Sequence, residues 1–171
     1  AALQGQMGMA RDLEQAHYWL REAAGQNHTL AMFNFGSLYH EGIGVEKNVE
    51  VAMSWYVRAA EKGLPEALYV AGTLLQRPFE RYEEAAVFFR KGAEKQDVRC
   101  MREYGRCLLT GRGVKPDASA IEWLEKAARR GDLEAQLLAA DAYSDKYPAV
   151  SADGARMLDY LWLAVSSDAD Q

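Results

Sequence analysis

At 171 residues, 49% apolar and 26% charged, the chain has the composition of a globular protein long enough to bury a sizeable core, and not that of a disordered segment. A formal net charge of −5 gives a general grip on nucleic-acid phosphate or anionic lipid no electrostatic support. No apolar run approaches the ~20 residues that a bilayer-spanning helix needs, so no nucleic-acid partner and no direct membrane insertion are expected.

In chain order, residues 1–27 read as a partial unit: Gly8 aligns with Gly44 and Asp12 with Asn48, ahead of a helix that carries Ala16, Trp19 and the pair Ala23-Ala24. The next helix, here called a helix A, has Ala31, Gly36 and Tyr39 on one face, at positions 1, 6 and 9 of its register. Gly42-Ile43-Gly44-Val45 then supplies the backbone freedom for a turn. Asn48 is the expected N-cap of a helix B that carries Ala52, Trp55 and Ala59-Ala60. The pattern returns with Ala67, Gly72 and Leu75, a glycine-free loop around Pro78, then Ala85, Phe88 and Gly92-Ala93. A third copy runs through Cys100, Gly105 and Leu108 to the turn Gly111-Arg112-Gly113-Val114, the cap Asp117, and Ala120, Trp123 and Ala127-Ala128. The last has Ala135, Ala140 and Tyr143, a long loop with Pro148, then Trp162 and a degenerate pair Ser166-Ser167.

The second members of the pairs recur at intervals of 36, 33, 35 and 39 residues, the length of one helix-turn-helix unit in a solenoid. One copy cannot bury its own apolar face, so copies stack. The expected organisation is a single repeat domain over 1–171, with a partial unit 1–27 and units at about 28–63, 64–96, 97–131 and 132–171. Neither end carries a dedicated polar cap, from which we expect a segment of a longer protein and self-association through uncapped ends. The four tryptophans are expected in the core, three at one repeat position and Trp162 displaced by the longer loop.

The run Gly-x-Gly-Val, an Asn or acidic cap, and then Ala52-x-x-Trp55-Tyr56-x-x-Ala59-Ala60-x-x-Gly63 resembles the Sel-one-like repeats, relatives of the tetratricopeptide repeat. The resemblance covers nearly the whole chain. It implies an all-α, right-handed α/α superhelix and a non-catalytic adaptor that binds a peptide or protein on a concave wall of helices A. Asn27 and Gln96 depart from the pattern, standing where Gly63 and Gly131 follow the alanine pair elsewhere. A secreted subgroup clamps each unit with a disulfide between the start of helix A and the alanine pair. Cys100 matches the first place, but Ala93 and Ala128 occupy the second, so that subgroup and its proposed penicillin-binding activity do not carry over.

No catalytic or cofactor-binding residues and no metal ligands are expected. His17, His28 and His40 form no His-x-x-x-His pair, and the chain has neither a Gly-x-Ser-x-Gly elbow nor a phosphate-binding glycine loop. Cys100 and Cys107 lie seven residues apart on one helix, roughly 10 Å at 1.5 Å per residue, too far to bridge each other. They read as small apolar packing groups.

Positions off the core stripe of helix A are free to face a partner. Three residues before the small residue come Phe33, Tyr69, Arg102 and Leu137; one after it come Ser37, Thr73, Arg106 and Asp141. These eight form the expected groove, aromatic around Phe33 and Tyr69 and basic around Arg102 and Arg106. The competing reading pairs the arginines internally with Glu103, Asp141 or another neighbouring acid. Two further functions stay open: an accessory repeat domain of a larger enzyme, and a structural part of a bacterial envelope or secretion assembly. The compartment, cytoplasmic or periplasmic, is left open too.

Overall fold

The structure, a computed structural model, describes the backbone of residues 2–169 and the side chains of residues 13–166. Its described elements are α-helices: α1 (Ala2–Gly25), α2 (Thr29–Glu41), α3 (Val49–Glu61), α4 (Pro65–Gln76), α5 (Tyr82–Glu94), α6 (Val98–Thr110), α7 (Ala120–Ala128), α8 (Leu133–Ala142) and α9 (Gly154–Ala169). The even-numbered helices are helices A and the odd-numbered ones helices B. The chain divides into two compact units, Ala1–Ala71 and Gly72–Gln171. In the first, α2 packs on both α1 and α3; in the second, α5 through α9 pack each on the next.

The helix A stripe forms at the expected register. Ala31 and Gly36, Ala67 and Leu75, Cys100 and Leu108, and Ala135 and Ala140 are all buried. The small residue at position 6 is needed because the partner helix leaves no room. A Cβ on Gly105 would lie 2.8 Å from Leu124, and one on Gly72 2.5 Å from Phe89.

Every helix B to helix A connection uses the same backbone. Asn27, Gly63, Gln96 and Gly131 all take φ between 64° and 84°, and the following residue, His28, Leu64, Asp97 or Asp132, donates its N–H to the carbonyl five residues earlier. That is a Schellman closure. The two non-glycine residues therefore adopt the left-handed conformation that glycine supplies elsewhere. The reverse connections vary in length yet close on one bond. The carbonyl at position 9 of helix A accepts the N–H of the residue that opens helix B: Asn48 to Tyr39 at 2.8 Å, Arg81 to Leu75 at 2.7 Å, Asp117 to Leu108 at 3.1 Å and Asp153 to Tyr143 at 3.0 Å.

Four expectations are corrected. First, α1 runs unbroken through Gly8 and Asp12, with no turn there. The turn at 42–45 needs positive φ at both Gly42 and Gly44; the residue matching Gly42 is Gln6, a good helix former. The side chains of Asp12 and Ser167 lie outside the described residues. Second, Asn48 caps α3 by accepting the Val51 N–H at 2.9 Å, whereas Asp117 accepts the Ser119 N–H at 2.8 Å in a short turn ahead of α7, whose own N-cap position is Ser119.

Third, the repeat tryptophan position is the edge of the core and not its centre. The large residues at 0–2% exposure are one place later, at Tyr56, Phe89 and Leu124; Trp55 and Trp123 are half-buried, while Trp19 and Trp162 are 67% and 74% exposed. On an α-helix the four-residue step from Ala52 or Ala120 to Tyr56 or Leu124 points along the core axis, and the three-residue step to Trp55 or Trp123 falls to its flank. Cations cover those flanking rings, Arg58 at 4.2 Å over Trp55 and Lys126 at 4.6 Å over Trp123. Fourth, the last unit is anchored at Ala164-Val165, two residues before Ser166-Ser167. Met157 and Tyr160 join the core cluster of Leu124, Ala139 and Tyr143, and Ala164 is buried. Met157-x-x-Tyr160-Leu161-x-x-Ala164-Val165 thus matches Ala52-x-x-Trp55-Tyr56-x-x-Ala59-Ala60 position by position, leaving Trp162 off the core.

Candidate partner-binding site

In the first unit, α2 places Phe33 against the buried ring of Tyr56, centroids 5.2 Å apart. Ser37 Oγ donates to the Phe33 carbonyl at 3.1 Å and accepts from the Tyr56 hydroxyl at 3.0 Å. Burial raises the Tyr56 pKa, the Ser37 bond working against that rise. Phe33 and Ser37 thus form one linked group on the helix A side. Tyr69 is half-buried on α4 and belongs to the same unit.

In the second unit Thr73 is exposed on α4, while α6 and α8 bring the remaining four residues into one charged patch. Arg102 has a side chain only 12% exposed and meets three acids: Nη1 reaches Asp132 at 2.6 Å, and Nε reaches Glu103 at 3.1 Å and Glu134 at 3.2 Å. Burial works against its charge, but Asp132, Glu134 and Glu103 outweigh it and raise its pKa. Arg106 pairs with Glu134 through Nη2 and lies 3.7 Å from Glu103; its Nε is buried with no hydrogen-bond partner among the described residues. The two guanidiniums therefore knit the start of α8 to α6, which is the internal pairing weighed above, with Asp132 and Glu134 as the main acids.

Leu137 is 48% exposed, and Asp141 accepts from Lys146 Nζ and the Tyr147 hydroxyl, each at 2.9 Å. Burial raises the Asp141 pKa, but those two hydrogen bonds pull it below the usual value. Arg106, Leu137 and Asp141 come together around a depression of about 490 Å³ that Thr110, Glu134, Lys146 and Tyr147 also line. Lys146 and Tyr147 come from the long loop and have no repeat counterpart to betray them. Asp132 was legible as a cap: it accepts the Ala135 N–H at 2.8 Å, as Asp97 accepts that of Cys100 at 2.9 Å.

Cys100 and Cys107 are free and buried. Burial, reinforced by Glu103, pushes the Cys107 thiol up to about 11, and burial with Asp97 raises Cys100 as well. Both are packing groups held in the unreactive thiol form. Among the described residues no cluster of His, Cys, Asp and Glu is arranged to hold a metal ion, and no helix is long and apolar enough to cross a membrane.

Comparison with known proteins places these repeats. The family described as Sel1 repeat matches residues 1–28, 29–64 and 98–132. A Sel1 repeat protein from Oxalobacter formigenes is 33% identical, with a TM-score of 0.78 over 90% of this chain and 65% of that one. The uropathogenic Escherichia coli protective antigen c5321, which displays the same repeat fold, is 28% identical, with a TM-score of 0.75 over 92% of this chain and 38% of that one. Chitin synthase regulatory factor 4 of Schizosaccharomyces pombe is 30% identical over 128 residues, 71% of this chain. The chain spans 15 and 20% of the length of two curated relatives that it matches.

Proposed function

Since the chain belongs to the Sel1 repeat family, we propose that it is a non-catalytic scaffold that binds a protein or peptide on the concave helix A side of its repeats. Sel1 repeat proteins are typically protein-interaction scaffolds, and one relative is a regulatory factor by name. The observation that carries the reading is the helix A side of α6 and α8. There an exposed Leu137 stands beside a charged lattice whose arginines are locked in place before any partner arrives. Preorganised charge around an apolar contact lowers the entropic cost of binding. In this reading Arg102 buttresses the surface; Phe33, Ser37 and Tyr69 are the ligand contacts of the first unit, and Thr73, Arg106, Leu137 and Asp141 those of the second.

Site-specific photocrosslinking tests it, with the crosslinker at Leu137 or Thr73 and, for comparison, at the exposed helix B residues Glu122 and Arg90. Capture of the same partner from the helix A positions alone is expected. Equal capture from the helix B positions would overturn the helix A assignment.

A second reading, self-association, is favoured by the exposed apolar residues of α9. Leu158, Leu161, Trp162 and Val165, 40–74% exposed, lie at i, i+3, i+4 and i+7. At the matching places in α7, Leu124 and Ala128 are buried to 0–1%. Light scattering over a concentration series should show a mass that rises with concentration and falls back in a Leu161→Glu, Val165→Glu variant; a constant monomer mass would remove this reading.

A further inference from the structure

We propose that the cleft lined by α1, α2 and α3 is a binding site for a carboxylate side chain, an Asp or Glu presented by a peptide or protein ligand, with Arg21 as its counter-ion and Tyr39 and His17 as its hydrogen-bond partners. The cleft has a volume of about 610 Å³, within the range of small-ligand sites, and Phe35, Tyr39 and Trp55 give it an aromatic wall. Besides α1 and the flank of α3 it uses Phe35 and Tyr39 of α2, and none of the eight groove residues considered above lines it.

The strongest argument is a comparison inside the molecule. In the last repeat the place corresponding to Tyr39 is Tyr143, the place corresponding to Arg21 is Glu125, and that corresponding to Val51 is Arg156. There the groove is filled by the protein itself: the Tyr143 hydroxyl donates to Glu125 Oε1 at 2.7 Å, Arg156 Nη1 donates to the Tyr143 oxygen at 2.7 Å, and Arg156 lies 3.6 Å from the carboxylate. A carboxylate, a phenol and a guanidinium close the set.

In the cleft on α1, the phenol and a guanidinium are present and the carboxylate is missing. Among the described residues the Tyr39 hydroxyl makes no hydrogen bond and Arg21 no ion pair, and His17 Nε2 is buried with no partner. His17 is held in place by Phe35 and Tyr39, ring centroids 5.1 and 6.3 Å away, so its nitrogen cannot easily swing out to water. Buried polar atoms without partners are costly, and one carboxylate satisfies a phenol donor, an imidazole donor and a guanidinium together. Glu22 also lines the cleft and disfavours a multiply charged anion such as phosphate relative to a single carboxylate. The aromatic wall favours an apolar residue next to the acid.

The test uses the 171-residue protein and three blocked tetrapeptides, followed by the NMR signals of the Trp55 indole N–H and the Tyr39 ring. N-acetyl-Ala-Glu-Leu-Ala-amide should give saturable shifts at Trp55 and Tyr39 while Trp123 and Tyr143 stay still. The Gln counterpart, amide-capped, should give none. The same Gln peptide with a free C-terminus supplies a carboxylate from the main chain; binding by that peptide and not by the Glu peptide would overturn the side-chain assignment. Arg21→Met should weaken the Glu peptide about tenfold or more. Arg21→Glu with Val51→Arg should rebuild the filled groove of the last repeat and abolish binding with helicity unchanged. Shifts that do not saturate, that match between the Glu and Gln amides, or that survive the Arg21→Glu, Val51→Arg variant would each overturn the proposal.

Discussion

Arg130 clasps Gln96: one guanidinium nitrogen reaches the Gln96 carbonyl at 2.8 Å and the other its side-chain oxygen at 2.7 Å. Gln96 holds φ 68° where Gly131 holds 83°, a conformation that costs a residue with a Cβ about 1–2 kcal/mol. The clasp offsets part of that cost. Arg130→Ala is expected to destabilise the protein by about 1 kcal/mol in urea denaturation, more than most exposed arginines, since two hydrogen bonds of good geometry are lost.

Asn27 occupies the same backbone place, φ 64°, and is exposed. Asn27→Gly should therefore stabilise by about 0.5 kcal/mol, the release of left-handed strain exceeding the added freedom of the unfolded chain. A loss of stability measured in urea would mean that Asn27 makes a side-chain contribution equal to the strain.

Leu124 is fully buried against the face of Gly105, whereas Trp162 projects from α9. Leu124→Ala should cost about 3 kcal/mol, with a cavity left beside Gly105. Trp162→Ala should fall within about 0.5 kcal/mol of the parent. The order of the two midpoints in denaturant checks the core register directly, because placing tryptophan at the centre of the core reverses it.

Alanine and glycine spacing made the helix pairing legible because a small residue at a helix crossing admits no substitute: Gly36 and Gly105 announce α3 and α7 before any contact is known. The same logic fails for large residues. Trp162 is conspicuous but stands off the repeat register, which is carried by size class along the whole helix: Met157, Tyr160, Leu161 and Ala164 after the opening Asp153. The charged lattice was half legible. Arg102 and Glu103 are adjacent, but Asp132 and Glu134 are some thirty residues away, and only the stacking of one helix A on the next makes them neighbours. His17 and Arg21 gave no motif, and Tyr39 stood out only as position 9 of the helix A stripe; what sets Arg21 and Tyr39 apart is the lack of the polar partners that Glu125 and Tyr143 possess, and His17 stands where the last groove has Ile121.

Arg102 binds Asp132, whose other oxygen caps α8, so the pair links tertiary packing to helix initiation. Arg102→Met should cost about 3 kcal/mol, chiefly from leaving Glu103 and Asp132 partly buried without a counter-ion. Asp132→Asn keeps a capping oxygen and removes one charge. The double variant should therefore recover about 1 kcal/mol relative to the sum of the single changes, read as a coupling energy in a double-mutant cycle. Strict additivity would mean that the two groups do not interact energetically.

Tyr160 provides a pH test. Burial, followed by the negative charge of Glu125, pushes its hydroxyl up to about 12 in the folded protein, against about 10 for an unfolded tyrosine. With the folded value raised, the folded state holds the proton more tightly. The associated stability is fully present below pH 10 and is lost as the pH rises from about 10 to about 12, because over that interval the unfolded chain ionises first. Tyr160→Phe removes the titrating group. The stability difference between the parent and this variant should therefore be constant from pH 7 to 9.5 and then shift in favour of the variant between pH 10 and 12. Tyrosinate absorbance recorded in parallel should show one fewer delayed ionisation in the variant than in the parent, since burial also raises Tyr56 and Tyr143 and does so in both proteins. A difference that stays flat through pH 12 would place Tyr160 in contact with water and away from Glu125.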